Sequence, residues 1–154
     1  MNVEIRAAVE ADAEGVISLY REFTRYLSAL GDEPEGRLTP ELFRLQGFGP
    51  NPAFHALVAE SDGVIIGYLL YHFGYDADRA TRVMHIVDLY ADGEHRRRGV
   101  GGALMARACS ICRDDGLPEM LWSVYKPNRP AKRFYEHLGA KVVDDLDFMH
   151  LEFD

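Results

Sequence analysis

Cysteine is scarce, with two residues in a chain of 154. That is too few for the disulfide framework on which small secreted domains depend. No apolar run approaches the ~20 residues needed to span a bilayer, so no membrane partner is expected. Met1 to Arg6 reads as a short strand rather than a signal peptide, and the cytoplasm is the expected location. There is no internal repeat, low-complexity tract or linker. The six histidines lack metal-ligand spacing, and two cysteines alone make a poor zinc site, so no metal is expected. Basic charge is in deficit: 17 Lys+Arg stand against 25 Asp+Glu, a net charge of −8. Such a balance disfavours nucleic acid as a partner. The remainder is ordinary, with 47% apolar and 27% charged residues, which argues against disorder. A chain of this length fits one domain, 1–154, and buries roughly two thirds of its unfolded surface without staples.

The charge is unevenly spread. Residues 1–94 carry 7 Lys+Arg and 16 Asp+Glu, whereas residues 96–141 carry 10 and 4. Residues 142–154 hold five acids and no base. A locally basic segment in an acidic protein suits a small anion held at one place and a cation held elsewhere. Scattered, solvated surface charge is the plain alternative.

Hydrophobic periodicity outlines the elements. Val3 to Arg6 reads as a strand. Glu10 to Leu30 reads as a helix whose apolar positions (Val16, Ile17, Leu19, Tyr20, Phe23, Leu27 and Leu30) keep three-four spacing and which stops at Gly31. Asp32 to Arg37 is a polar loop. Thr39 caps a short helix with Pro40 in its first turn. Phe54 to Glu60 and Val64 to Tyr75 are strands joined by an Asp62-Gly63 hairpin turn, and Arg82 to Tyr90 is another. A helix starts near Arg98 or Gly99 and runs through Leu104, Ala108 and Ile111. Met120 to Val124 is a short strand. Pro130 to Leu138 is a helix closed by Gly139. Lys141 to Val143 and Phe148 to Phe153 suit a closing hairpin. The expected class is α/β (α+β): a mixed, mostly antiparallel sheet of about seven strands flanked by about four helices.

The most informative stretch runs from the strand Leu89-Tyr90-Ala91 through Arg96-Arg97-Arg98 into Gly99-Val100-Gly101-Gly102. A helix N-terminus offers unpaired N–H donors and the positive end of a dipole. Glycine lets the backbone approach a phosphate closely. The spacing is neither the Rossmann fingerprint nor the Walker pattern. It reads as a polyanion cradle, most naturally for a pyrophosphate.

Arg96-x-x-Gly99-x-Gly101 after an apolar strand resembles the acetyl-CoA signature of the GNAT N-acetyltransferases. Asn128 followed by Ala131-x-x-x-Tyr135-x-x-x-Gly139-Ala140 agrees with that family. So do Gly47-Phe48-Gly49, Pro52, His55-x-Leu57-Val58-Ala59-Glu60, Ile66-Gly67 and Tyr71-x-Phe73-x-Tyr75-Asp76, which resemble its spermidine/spermine group. The likeness covers nearly the whole chain. It implies the GNAT fold, acetyl-CoA as donor, a small-molecule amine as acceptor and a homodimer. Leu89, Tyr90 and Ala91 would align the pantetheine arm, with a backbone N–H near Leu89 facing the acyl oxygen. Arg96, Arg97, Arg98, Gly99, Val100, Gly101 and Gly102 would hold the pyrophosphate. Asn128, Pro130 and Ala131 would lie near the sulfur, and Tyr135 would protonate the departing thiolate. A phenol near pKa 10 is mismatched to such a thiol by about 2 kcal/mol, so its loss slows the reaction without abolishing it. At helical spacing with Phe134 and Leu138, Tyr135 equally fits a core position.

An alkylammonium near pKa 10.4 costs about 4–5 kcal/mol to deprotonate at pH 7, so a base is needed. Asp88, Asp76, Glu94, His85 and His72 are the candidates. His85 and Asp88, three apart on one strand, are expected on opposite faces. Asp76 and Asp88 match acidic positions of the resembling group, whereas Val87 and Leu27 stand where it carries glutamate. These departures weaken polyamines as acceptors and leave room for a lysine-like amino acid, with Lys126 available to a carboxylate. Asp32, Glu33 and Glu35 are further loop acids. Trp122 and Ser123 line either the amine pocket or the core. Cys109 and Cys112 form C-x-x-C within a helix and read as buried thiols. Transfer to protein N-termini or lysines, and a non-catalytic acyl-CoA sensor, remain alternatives.

Overall fold

The computed structural model describes residues 2–154. The chain forms two compact units, Met1–Ser123 and Val124–Asp154. The first holds strands β1 (Val3–Ala7), β2 (His55–Ser61), β3 (Val64–Asp76), β4 (Thr81–Ala91) and β5 (Met120–Leu121), with helices α1 (Ala13–Ala29), α2 (Pro40–Gly47) and α3 (Val100–Asp114). The second holds α4 (Arg129–His137). Among the described residues no helix is long and apolar enough to cross a membrane.

The sheet runs β1-β2-β3-β4-β5. Its first three pairings are antiparallel and the last is parallel. The β2–β3 hairpin turns on Asp62 and Gly63, with φ of 50° and 80°. Positive φ at both central residues is the turn whose twist matches that of the strands. Thr39 caps α2 by accepting a hydrogen bond from the Leu42 amide at 3.2 Å. Arg6 ties β1 to the approach of α1: its guanidinium grips both carboxylate oxygens of Asp12 at 2.7 and 2.9 Å and reaches Glu60 on β2 at 3.0 Å. This pairing holds the Asp12 carboxyl below its ordinary range.

Each face of the sheet takes one long helix. Val58, Tyr68, Leu70 and Tyr90 close on Ala13, Val16, Ile17 and Leu19 of α1, together with Phe43 of α2. The opposite face takes α3, which can come close because β3 carries Gly67 there. A Cβ on Gly67 would lie 2.8 Å from Val100 Cγ1 and 3.2 Å from Leu104 Cδ1. The two thiols of α3 dock on methionine sulfurs, Cys112 on Met84 and Cys109 on Met120, both at 3.7 Å. The C-x-x-C spacing is thus a packing device, and burial pushes the Cys112 thiol up.

Two expectations need correction. β5 is confined to Met120–Leu121 and does not reach Val124. The closing hairpin over 141–143 and 148–153 does not form, so the described residues build five strands rather than about seven. The alternation of apolar and polar residues there is strand-like. A strand, however, is stabilised by its cross-strand partner, and five acids without a base in 142–154 oppose self-pairing. Phe148, Met149, Leu151 and Phe153 stay exposed.

Gly67→Ala should lower stability by about 1–3 kcal/mol through overpacking against α3. Gly74→Ala on the same strand meets only an ordinary contact, Val83 Cγ2 at 3.5 Å, and should be close to neutral. Urea unfolding of the two variants checks the contrast; equal effects would contradict it.

Candidate active site

The geometry of the site begins with an irregularity in β4. Leu70 pairs with Asp88, but the next residue, Tyr71, pairs with Ile86. Val87 is therefore an extra residue, a β-bulge. Directly paired residues share a face, and so do residues two apart on a regular strand. Leu70 with Asp88, and His72 with His85, consequently all lie on the α1 face of the sheet. The expectation that His85 and Asp88 occupy opposite faces is overturned: the bulge adds one residue and restores their parity.

A cleft of about 650 Å³ opens between this face and α1. Tyr20, Phe23, Thr24 and Leu27 of α1 form one wall, and Leu70, His72, Val87 and Asp88 form the floor. The loop between α1 and α2 closes a third side with Glu35, Arg37 and Leu38, and Phe54 also lines the cleft. The apolar stripe of α1 thus has two uses. Its first half (Val16, Ile17, Leu19) is buried core, and its second half looks into the cleft.

Asp88 is the acid on the floor. Burial pushes its carboxyl up from the ordinary 3.8 to about 6, against a hydrogen bond donated by the Tyr68 hydroxyl at 3.4 Å. Tyr68 is fully buried, and burial next to Asp88 raises its phenol well above its usual value. The result is a carboxylate ionised at pH 7 yet basic enough to exchange a proton near neutrality, a combination typical of catalytic carboxylates. His72 and His85 stack with ring centroids 4.7 Å apart. Burial and the neighbouring imidazole both lower the His85 pKa.

The other predicted acids are placed elsewhere. Asp76 pairs with Thr81 at the far end of β3. Six residues of strand separate it from Leu70, opposite Asp88, which is roughly 20 Å. Its carboxylate accepts from the amides of Asp78 and Arg79 at 2.9 and 3.1 Å and pairs with the Arg79 guanidinium at 3.0 Å. Trp122 and Ser123 follow β5 and do not line the cleft. Leu27 and Val87 do line it, and so does Glu35.

The end of β4 leads into the basic turn. Pairing with β5 stops at His85, so Ile86–Ala91 engages the sheet through β3 alone. This leaves Leu89, Tyr90 and Ala91 with an edge toward which an extended ligand can align. Arg96–Arg98 form a 3-10 turn, and Gly99, with φ of 80°, is the N-cap of α3. Only glycine adopts that left-handed geometry freely. The first turn of α3 holds Gly101 and Gly102 and no acid. A Cβ on Gly99 or Gly102 would meet no atom within 4 Å, so this helix end looks onto open space. Exposed Arg97 and Arg98 add positive charge. The arrangement fits a pyrophosphate.

Arg96 has a further engagement. Its Nη2 donates to the Tyr90 hydroxyl at 2.7 Å and its Nε to the Ala91 carbonyl at 3.2 Å. The guanidinium lies over the rings of Tyr26 and Tyr90, at 4.6 and 4.9 Å. Tyr90 also packs on Phe23, ring centroids 5.2 Å apart. Arg96 therefore fastens the end of β4 to the cleft wall on α1.

In the second unit, Asn128 is buried and caps α4, accepting from the Ala131 amide at 3.4 Å, with Pro130 in the first turn. Tyr135 is half-buried and makes an edge contact with Phe134 at 5.2 Å. Gly139, with φ of 94°, ends the helix.

Sequence reasoning missed Tyr20, Phe23, Thr24, Phe54 and Leu70 as cleft residues. The α1 positions carried a signal, since 20, 23, 24 and 27 share one helical face. That spacing is the same as a core stripe, so it could not mark the cleft by itself.

Comparison with known proteins agrees with this geometry. The family model described as "Acetyltransferase (GNAT) family" matches residues 5–140. A thialysine N-epsilon-acetyltransferase of Bos taurus is 30% identical over 156 residues, covering 96% of this chain and 89% of that protein. A spermidine/spermine N(1)-acetyltransferase-like protein 1 of Homo sapiens is 26% identical, covering 96% of this chain and 22% of that protein. Among solved structures, an integron cassette protein of V. cholerae superimposes with a TM-score of 0.83 at 21% identity, covering 100% of this chain and 94% of that one. It shows the fold.

The raised pKa of Asp88 has a stability consequence. Its folded value, about 6, lies above the ordinary 3.8. The contribution is thus fully present below 3.8 and is lost as pH rises through 6, where the buried anion costs on the order of 2–3 kcal/mol. Asp88→Asn should therefore stabilise the protein at pH 8, and the gain should shrink as pH falls to 5. Urea unfolding across that range decides; a pH-independent effect would contradict the burial of the charge.

Proposed function

This chain belongs to the GNAT acetyltransferase family and is an acetyl-CoA-dependent N-acetyltransferase, and we propose that it acetylates the side-chain amine of a lysine-like amino acid. The observation that carries this reading is that Asp88 is the one acid on the cleft floor, beside Leu70, Val87 and His72. Polyamine recognition calls for acids spaced along the substrate, yet Val87 and Leu27 line the cleft. The relatives named for thialysine point the same way. The family match runs across both compact units, which supports reading 1–154 as one catalytic domain.

Acetyl-CoA supplies the acetyl group as a thioester. The first turn of α3 with Arg97, Arg98, Gly99, Val100, Gly101 and Gly102 would hold its pyrophosphate by N–H donors and fixed charge. Leu89, Tyr90 and Ala91 would align its arm, and a backbone N–H near Leu89 would face the carbonyl oxygen. Asn128, Pro130 and Ala131 are the further cofactor contacts proposed on the second unit. Arg96 holds the end of β4 in place for this binding.

The acceptor arrives as an ammonium. Asp88, ionised above about pH 6, attracts it and takes one proton, which frees the nitrogen lone pair. The cleft walls strip water from the ammonium and lower its pKa, which narrows the mismatch between the two groups. As the C–N bond forms and the thioester C–S bond breaks, Tyr135 is the proposed proton donor to the leaving sulfur, and the nitrogen's second proton, passed through solvent, restores the phenol. Asp76, Trp122 and Ser123, first expected to contact the acceptor, do not line the cleft and are assigned no role in this reading. Two free thiols support a reducing, cytoplasmic setting, and the apolar side chains exposed along 142–153 support assembly as a homodimer.

The test is thiol release from acetyl-CoA with lysine-like amino acids, diamines, polyamines and basic peptides. Turnover confined to peptides would overturn the small-molecule reading. Because the ammonium is the bound form, kcat/KM should be flat above pH 6 and fall tenfold per pH unit below it. Asp88→Asn should lower kcat by about 10²–10⁴ and abolish that acid limb. Tyr135→Phe should lower kcat more modestly and leave the limb in place.

A further inference from the structure

The cleft contains one feature that proton transfer does not use. Glu35 and Arg37 sit side by side on the loop between α1 and α2, on either side of Gly36, whose φ is +64°. That left-handed residue turns the loop between them. Arg37 Nε meets Glu35 Oε2 at 2.5 Å. Both side chains line the cleft while remaining 84% and 68% exposed, so they stand at its mouth. Asp88 lies on the half-buried floor. Phe23, Leu27, Leu38 and Val87 line the space shared by the mouth and the floor.

We propose that Glu35 and Arg37 are the specificity-determining residues of the acceptor cleft, reading the zwitterionic head of the amino acid whose distal amine meets Asp88. The inference rests on the acceptor reading given above. An adjacent anion and cation complement an α-ammonium and an α-carboxylate on one carbon. The guanidinium fork offers five donors; Glu35 takes the Nε side, and the Nη side suits a carboxylate bidentately. An exposed ion pair is worth about 1 kcal/mol or less, so exchanging it for two contacts with a bound zwitterion costs little. A polyamine would place a second cation against Arg37. A simple monoamine would leave both residues without a partner from the substrate. The apolar lining suits the methylene stem between head and amine. The charged head stays in the wet mouth, and the reacting amine enters the drier floor, where Asp88 is ionised.

Three acceptors of one stem length separate the contributions: lysine carries both head charges, cadaverine lacks the carboxylate, and 6-aminohexanoate lacks the α-amine. The wild-type protein should show its highest kcat/KM with lysine. Arg37→Gln should raise KM for lysine and 6-aminohexanoate at least tenfold relative to cadaverine. Glu35→Gln should raise KM for lysine and cadaverine relative to 6-aminohexanoate. Neither variant should shift the KM for acetyl-CoA or the acid limb set by Asp88. Equal KM changes across the three acceptors, or a wild-type preference for cadaverine, would overturn the assignment. Calorimetric binding of lysine to the wild-type protein and to Arg37→Gln reads the same contact without turnover: weakened binding supports it and unchanged binding overturns it. Absence of turnover with all three acceptors, beside retained lysine binding that Arg37→Gln weakens, would instead overturn the transfer reading and leave the head-group contact standing.

Discussion

One extra residue in β4 sets where the proposed catalytic acid stands. Without Val87, the pairing of β3 and β4 would run on unbroken and shift every residue beyond it to the other face. With the bulge, Asp88 comes onto the α1 face beside Tyr68, Leu70 and His72. The same strand then continues into a segment paired on one side only and ends at the glycine turn that opens α3. The acid proposed to act on the acceptor and the backbone proposed to receive the donor are therefore parts of one strand. Their spacing is fixed by the sheet rather than by flexible loops.

The surrounding packing keeps that strand in place. Gly67 lets α3 sit hard against β3, and the sulfur contacts of Cys112 and Cys109 set the same helix against Met84 and Met120. On the other face, Arg96 and Tyr90 fasten the end of β4 to Tyr26 and Phe23 of α1. Arg6 and Asp12 hold the start of α1 to the sheet. A carboxylate placed where burial raises its pKa would be more comfortable as an amide, but an amide cannot take a proton, which fits the base role proposed for Asp88.

Much of the framework was legible in the sequence because the signals were local. The three-four spacing of α1, the Thr39-Pro40 start of α2, the Asp62-Gly63 turn and the glycines that open α3 each state their own geometry. The strand, basic turn and glycine-opened helix proposed as the cradle were legible for the same reason, since they are contiguous. The bulge was not, because counting residues along a strand presumes unbroken alternation, and only the partner strand reveals the extra residue. The two uses of the α1 stripe were hidden because core and cleft demand the same spacing. Residues 142–154 misled in the opposite direction: their alternation is that of a strand, but a pattern cannot supply a partner.

The central claim is that the bulge places Asp88 on the half-buried floor of the cleft as an anion poised near neutrality. Its carboxyl carbon can be followed by NMR as pH is varied, in the wild-type protein labelled at aspartate, with Asp88→Asn to assign the signal. A titration midpoint near 6 is the predicted result. A midpoint near 4, the range of a solvated carboxylate, would place Asp88 in water and contradict the account.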